Sequence, residues 1–326
     1  MALLFGGLVL VRAKLFEIGL LKSTASNLPV IVIGNISVGG TGKTPVVSAV
    51  VSKLKSAGYR PGIVSRGYGA TPARQPRLIT ANTSIELAGD EPSLLLSETG
   101  VPVCICINRA AAVNYLANET SVNIIVSDDG LQHYAMARDI EVVVVDGQRL
   151  FGNRWMLPAG PLREPPGRLN SVDLIAVQQT PNTTQAEKHH AYDNLRLSQC
   201  NAVAKGSFHL DIVALIELDS HQHRSLSDFK GRRVHAIVGV GNPNRFYFSL
   251  RNAGLDVIEH TLSDHHKYVP ADIEFNDNLP ILMTTKDAVK IREFDIVLSN
   301  LFEVCVKVVF DEDLEVAMDQ VLNSLK

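Results

Sequence analysis

The sequence predicts an α/β fold: a parallel sheet flanked by helices and carrying a phosphate-binding loop, followed by a second, smaller α/β domain. Three observations predict it. The β-branched run "LPVIVIGNI" stops near Gly34 and passes through a glycine-rich turn into a segment with helical spacing. Apolar strand-length runs then alternate with helix-length segments, the pattern of parallel strands joined by crossovers. A second block of the same kind starts near residue 228.

A chain of 326 residues is too long for one modest core, so two domains are expected. Apolar residues make up 46% and the formal net charge is −3, which suits a globular protein and implies no polyanionic partner such as nucleic acid. Cys104, Cys106, Cys200 and Cys305 form no C-x-x-C pair, and a reduced, cytoplasmic setting is the simplest inference.

The first stretch, "MALLFGGLVLVRAKLFEIGLLK", is interrupted by Arg12, Lys14 and Glu17 too early for a span of roughly 20 apolar residues. It has neither a basic leader nor a clear cleavage site. Leu4, Leu8, Val11, Leu15 and Ile18 recur at helical spacing and predict an amphipathic helix. Its stripe either rests in a bilayer interface beside Arg12 and Lys14 or covers the protein's own core, and the residues alone lean toward the core.

After the first strand, "TPVVSAVVSKLKSAG" reads as a helix closed by Gly58. Strands are expected at "PGIVSRG", "VPVCICI", "VNIIVSDDG", "IEVVVVDG" and "VDLIAVQQ", and helices at "EPSLLLSETG" and "NRAAAVNYLAN". "TPNTTQAEKHHAYDN" shows little periodicity and is expected on the surface. "NAVAKGSFHLDIVALIEL" reads as a connecting β segment that places the domain boundary near residue 215. In the second block, "RRVHAIVGVGNP", "LDVIEHTL", "LPILMTT" and "FEVCVKVVF" alternate with a helix-like "NRFYFSLRNAG".

The turn Ser37, Val38, Gly39, Gly40, Thr41, Gly42, Lys43 and Thr44 matches G-x-x-x-x-G-K-[ST] at every fixed position but the first. Glycines let backbone N–H groups converge on phosphate oxygens, Lys43 can reach the β- and γ-phosphates, and Thr44 can hold Mg²⁺. Asp128 and Asp129 directly follow an apolar strand, where a carboxylate can reach that cation or its water shell. Gln132 and His133, a few residues on, either line the same cleft or fill a loop.

Asp90 in "AGDEPSLLL" reads first as a helix N-cap, yet a carboxylate at a loop-to-helix junction can also accept the proton of an attacking hydroxyl. Arg154, Arg163 and Arg168 lie in the proline-rich "GNRWMLPAGPLREPPGRL", which either captures an anion or is a solvated loop. "GVGNPNRF" lacks the third glycine of a dinucleotide fingerprint. The paired histidines of "SDHHKY" have no companion ligands at zinc spacing.

Taken in order, "GNISVGGTGKTP", "SRGYG", "GDEP", "SDDGLQH", "LPAGPLREP", "DHH" and "TTKDAVK" resemble tetraacyldisaccharide 4′-kinase, the lipid A kinase family of Gram-negative bacteria. The likeness spans residues 1 to about 292. It implies ATP- and Mg²⁺-dependent phosphorylation of the 4′-hydroxyl of a tetraacylated glucosamine disaccharide 1-phosphate lipid, yielding lipid IVA. It also accounts for Ser37, since a small hydroxyl residue is characteristic there. The resemblance implies a catalytic pair at Asp90 and His265, a phosphate-gripping Lys43, and Mg²⁺–ATP contacts at Thr44, Asp128 and Asp129. Gln132, His133, Arg163 and Glu164 become candidates for ATP or lipid contact.

The resemblance reverses the reading of the N-terminus: a four-chain lipid stays in the membrane, so residues 1–22 are expected to bring the enzyme peripherally to the cytoplasmic face of the inner membrane. Residues 23–215 then form the P-loop NTPase-like kinase domain, and 216–326 the smaller α/β domain that completes the cleft. Leu262-Ser263 and Thr285 depart from the family's usual residues beside "DHH" and Lys286. An alternative is a P-loop ATPase or GTPase switch; the guanine-reading N/T-K-x-D is missing, because Asp287 directly follows Lys286. A third class is a non-catalytic lipid-binding protein.

Overall fold

The structure, a computed structural model, describes residues 1–197, 200, 203–294 and 299–325. Helix α1 (Ala2–Glu17) precedes β1 (Val30–Gly34), and the phosphate-loop segment leads into α2 (Lys43–Ser56). Next come β2 (Pro61–Ser65), β3 (Arg77–Ile79), α3 (Ile85–Ala88), α4 (Asp90–Thr99), β4 (Val103–Ile105), α5 (Arg109–Glu119) and β5 (Ile124–Asp128). Strands β6 (Ile140–Asp146) and β7 (Leu174–Gln178), helix α6 (Gln185–Asn194) and the long β8 (Ala204–Glu217) complete the first half. The second half holds β9 (His223–Arg224), β10 (Arg233–Val238), α7 (Pro243–Asn252), β11 (Asp256–Thr261), β12 (Ile281–Thr284), α8 (Thr285–Ile291), β13 (Leu301–Phe310) and α9 (Glu312–Asn323).

All of these strands belong to one sheet, ordered β11-β10-β12-β13-β8-β7-β6-β1-β5-β2-β4-β3, with β9 paired to β8. The central strands are parallel, as the fully apolar runs require when both faces are covered by helices. The join between the two lobes is antiparallel: β13 pairs with β8 from Phe302↔Glu217 to Phe310↔Phe208, with a register shift between Cys305 and Val306.

The division expected at residue 215 therefore falls inside β8. That strand pairs in parallel with β7 through Phe208 and then runs on beside β13 into the second lobe. The cores separate more cleanly than the chain does. Two apolar clusters cover the faces of the first lobe, and two smaller ones, around Tyr247 and around Ile237, fill the second. The C-terminal α9, not among the elements expected from the sequence, packs Leu314, Ala317 and Met318 into the first lobe's core. Residues 216–326 consequently serve both lobes.

One segment adds a helix to its surface reading, and another differs from its reading. The polar stretch at 180–194 contains α6, because Thr184 and Glu187 close a reciprocal capping box and Ala191 is buried beneath it. Helix α1 is apolar around most of its circumference: no polar side chain precedes Arg12, and Leu3, Leu4, Leu8, Leu10 and Val11 are all exposed, Leu3 at 79%. The expected single stripe does not exist, and these residues do not cover the core. At its far end Arg12 donates to the Gln132 carbonyl, and Phe16 stacks on Tyr134 with 5.8 Å between centroids, fixing the helix to the loop after β5. Among the described residues, no helix is long and apolar enough to cross a membrane.

The seat of α9 is tight enough to test. A Cβ added at Gly206 on β8 would stand 2.5 Å from the Leu314 amide nitrogen. Gly206→Ala should lower unfolding stability by about 1–3 kcal/mol through overpacking. Denaturant unfolding measures this, and an unchanged midpoint would show that α9 is not held against β8.

Candidate active site

The phosphate loop is bent by two glycines in the left-handed region, Gly39 (φ 95°) and Gly42 (φ 80°); residue 37 has no such requirement. Ser37 is therefore compatible with the bend. Gly42 precedes Lys43 at the first turn of α2, and a side chain there would collide with Gln178 Oε1. Inside the loop the buried Asn35 donates through Nδ2 to Thr41 Oγ1 at 3.0 Å. The proline-rich segment braces it from outside: the Val38 N–H donates to the Pro161 carbonyl and the Arg163 N–H to the Ile36 carbonyl, both at 2.8 Å.

A cleft of about 470 Å³ opens above this loop, between the two lobes. Val38–Thr44, Asp129 and Arg163 form its first-lobe floor, and Asp264, His265 and Lys286 reach it from the second lobe. Leu210, Ile212, Val304 and Val306 of the β8–β13 join give it an apolar wall, beside Phe246. Sequence reasoning missed Gln178, Asn242 and Arg245, which clamp the lobes together here. Arg245 binds Gln178 and the buried Asp146, the latter at 2.5 Å, and Asn242 donates to Asp146 at 3.3 Å. The strand-to-helix turn in "GVGNPNRF" was the available signal.

Asp129, in a left-handed conformation (φ 49°), accepts from Arg163 Nη1 at 2.9 and 3.2 Å and lies 3.6 Å from Lys43 Nζ. Burial would raise its pKa, but the cations Lys43, Arg163 and Arg109 outweigh it and hold the carboxyl below its ordinary value. Asp128 is the opposite case. Burial, with Glu91 and Asp129 adding negative charge, raises it to about 7 against the pull of Lys43 and Arg109. Its Oδ2 accepts from Ser65 at 3.4 Å, and its buried Oδ1 has no hydrogen-bond partner.

Asp90 is the first residue of α4, with Gly89 rather than Asp90 as the cap, so the expected capping role is not the one it performs. Its side chain is 4% exposed. Oδ1 accepts the Glu91 N–H at 2.9 Å, while Oδ2 faces His265 Nδ1 at 2.9 Å, Lys290 Nζ at 3.4 Å and Lys286 Nζ at 3.8 Å. His265 sits on a left-handed backbone (φ 59°) with Tyr68 tilted over its ring at 4.8 Å.

The remaining expected site residues lie behind the loop rather than in the cleft. Gln132 donates to the Asn35 carbonyl at 2.9 Å and to Glu164 Oε1 at 2.8 Å, and buried Glu164 also accepts from Tyr134 at 2.7 Å. His133 is held neutral, its pKa lowered to about 4 by burial and then by Arg109, Arg138, Arg12 and Arg66. Arg168 is committed to Glu141 and Glu164, and Arg154 to the Asn194 carbonyl. Of the three arginines suited to anion capture, Arg163 alone lines the cleft.

The family model described as tetraacyldisaccharide-1-P 4′-kinase matches residues 1–323. The chain belongs to the tetraacyldisaccharide-1-P 4′-kinase family. It is 44% identical over 294 residues to the tetraacyldisaccharide 4′-kinase of Stenotrophomonas maltophilia, covering 90% of this chain and 84% of that one. Identity to the enzyme of Xanthomonas axonopodis pv. citri is 42%, covering 90% and 83%. Among solved structures, LpxK from Aquifex aeolicus in complex with ATP is similar at a TM-score of 0.77 and 26% identity, covering 99% of this chain and 96% of that one. The P-loop kinase fold and lipid A 4′-kinase activity expected from the sequence are those of this family, and the regulatory-switch alternative is not favoured.

The surroundings of Asp90 give a pH test. Burial would raise its pKa, but the His265 hydrogen bond and the charges of Lys286 and Lys290 bring it down to about 2. A carboxyl depressed on folding contributes stability above its unfolded pKa of about 3.9 and loses it as pH falls toward 2. The contribution is on the order of 2 kcal/mol. Acid unfolding of the wild-type protein should show this loss between about pH 4 and 2, and Asp90→Asn should not. Parallel curves would rule the contribution out.

Proposed function

We propose that the chain transfers the γ-phosphoryl group of ATP to the 4′-hydroxyl of a tetraacylated glucosamine disaccharide 1-phosphate, giving lipid IVA. The observation that carries this reading is the meeting of Asp90 and His265, 175 residues apart, at one wall of a cleft whose floor is the phosphate loop. Residues Ser37–Thr44 bind the triphosphate, with Gly39 and Gly42 providing the bend and Lys43 compensating charge on the outer phosphates.

Mg²⁺ fits the residues present: Thr44 lines the cleft at the start of α2, and the unpartnered Oδ1 of Asp128 is a hard oxygen donor of the kind the cation selects. Bound there, the cation would neutralise charge on the phosphates. Asp129, already paired with Arg163 and Lys43, orients these cations and closes the metal side of the site. Asp90 and His265 take the proton of the attacking hydroxyl. Because they come from different lobes, the base is complete only when both lobes stand around the cleft, which limits phosphoryl transfer to water. Gln132, His133 and Glu164 support the loop from behind, and Arg163 is the candidate contact to substrate phosphate.

The exposed apolar surface of α1 supports peripheral attachment at the cytoplasmic face of the inner membrane, where the substrate's acyl chains are held. Arg12 and Lys14 at the end of the helix suit the headgroup level.

Two experiments test this reading. Asp90→Ala should retain ATP binding and lose about 10²–10⁴-fold in transfer of label from γ-labelled ATP to the disaccharide lipid; wild-type turnover would remove Asp90 from the chemistry. Combined Leu4→Ser, Leu8→Ser and Val11→Ser substitutions should weaken co-sedimentation with lipid vesicles by more than about 100-fold, each buried side chain contributing roughly 1.5–3 kcal/mol. Full retention of vesicle binding would exclude α1 as the anchor.

A further inference from the structure

We propose that Lys286 is a positioning residue that sets the proton inventory of the Asp90–His265 pair and locks the second lobe to the first. The inference rests on the role of that pair given above. Lys286 is the second residue of α8, and its ammonium enters the cleft among four groups. It donates to Glu91 Oε1 at 3.1 Å and lies 3.5 Å from Asp264 Oδ1, 3.8 Å from Asp90 Oδ2 and 3.4 Å from His265 Nε2. Two of these groups belong to the first lobe and two to the second. One cation thus bridges the gap at the point where the lobes must meet.

The chemistry follows from what an ammonium can do. It has three N–H donors and no acceptor, so a ring nitrogen bonded to it must offer a lone pair. Nε2 of His265 is therefore the bare nitrogen, and the ring's single proton lies on Nδ1, facing Asp90 Oδ2 at 2.9 Å. The pair consequently holds one proton and one negative charge, the form able to accept a proton from an alcohol.

The other charges around the pair are accounted for. Lys290, on the same helix, faces Asp90 at 3.4 Å and Asp287 at 3.8 Å, with its ammonium 5.7 Å from the Tyr268 ring centroid. Glu91 follows Asp90 on α4, and Asp264 lies 3.9 Å from His265 Nε2. Tyr68 covers the ring from the first lobe. Lys286 is the cation placed against Nε2; burial would lower its pKa, but Glu91, Asp90 and Asp264 outweigh it and hold the pKa above the ordinary lysine value.

The test compares Lys286→Met, Lys286→Gln and Lys286→Arg with wild type by the pH profile of lipid phosphorylation and by ¹⁵N NMR of His265. A charge within about 4–6 Å moves a pKa by about 1–3 units. In the Met and Gln variants the acid limb of kcat/KM should move up by about one unit or more, and the His265 Nε2 resonance should change. Arg should hold the limb near its wild-type position. Melting temperature and ATP affinity identify a variant that has not folded, and Gln, which preserves length and polarity, serves if Met fails.

A folded neutral variant with an unmoved acid limb and an unchanged Nε2 resonance would overturn the proposal, as would Arg and Gln limbs that coincide. The NMR readout needs no turnover. Should Asp90→Ala retain activity, the pair's catalytic role fails, while the effect of Lys286 on His265 is still decided by the resonance.

Discussion

The antiparallel ladder between β8 and β13 is the constraint on which the rest of the arrangement depends. Each strand belongs to both lobes: β8 begins beside β7 in the first and ends beside β13 in the second, while β13 starts next to β12 and finishes under α9. Backbone hydrogen bonds along such a ladder fix register, so the two halves of the cleft are positioned by secondary structure rather than by a linker. With that frame set, the phosphate loop after β1 and the histidine turn after β11 face each other. Without it, the lobes would be joined by side-chain contacts across the cleft, such as Asp90 to His265, Lys286 to Glu91 and Arg245 to Asp146.

The charges of the site follow a second rule, that an ion removed from water must be matched by another. On the loop side, Lys43 and Arg163 neutralise Asp129, while Asp128 is left with a raised pKa and a bare oxygen. On the lobe-joining side, two lysines offset Asp90, Glu91 and Asp264. The two halves are poised differently. The first leaves one buried carboxylate oxygen without a hydrogen-bond partner, and the second draws its ion pairs from both lobes.

Much of this was readable from residue order. The apolar runs marked the central strands, and "GGTGKT" marked the loop because only Gly39 and Gly42 need a left-handed backbone, leaving position 37 free to be serine. Asp90 and His265 were legible through the family resemblance alone, since no local pattern connects residues 175 apart. Helix α6 was overlooked although its Thr184 and Glu187 stand at capping-box spacing; a mostly polar composition hides the apolar period that normally announces a helix. Gln132 and Glu164 sit close to the site in sequence but point into the loop's support, a choice made by side-chain packing that spacing does not encode. The expected boundary falls inside β8 for a related reason. A strand shared by two cores carries one unbroken apolar pattern and offers no composition shift to mark the crossing.

The register shift at Cys305/Val306 gives the ladder a mechanical character. A bulge adds local right-handed coil and bends the strand that carries it. Two hydrogen-bonded strands can be wrung along their length but cannot swing as a door does on a flexible joint. Because Val304 and Val306 on either side of this step line the apolar wall, the local coil sets the angle at which the ribbon faces the phosphate loop.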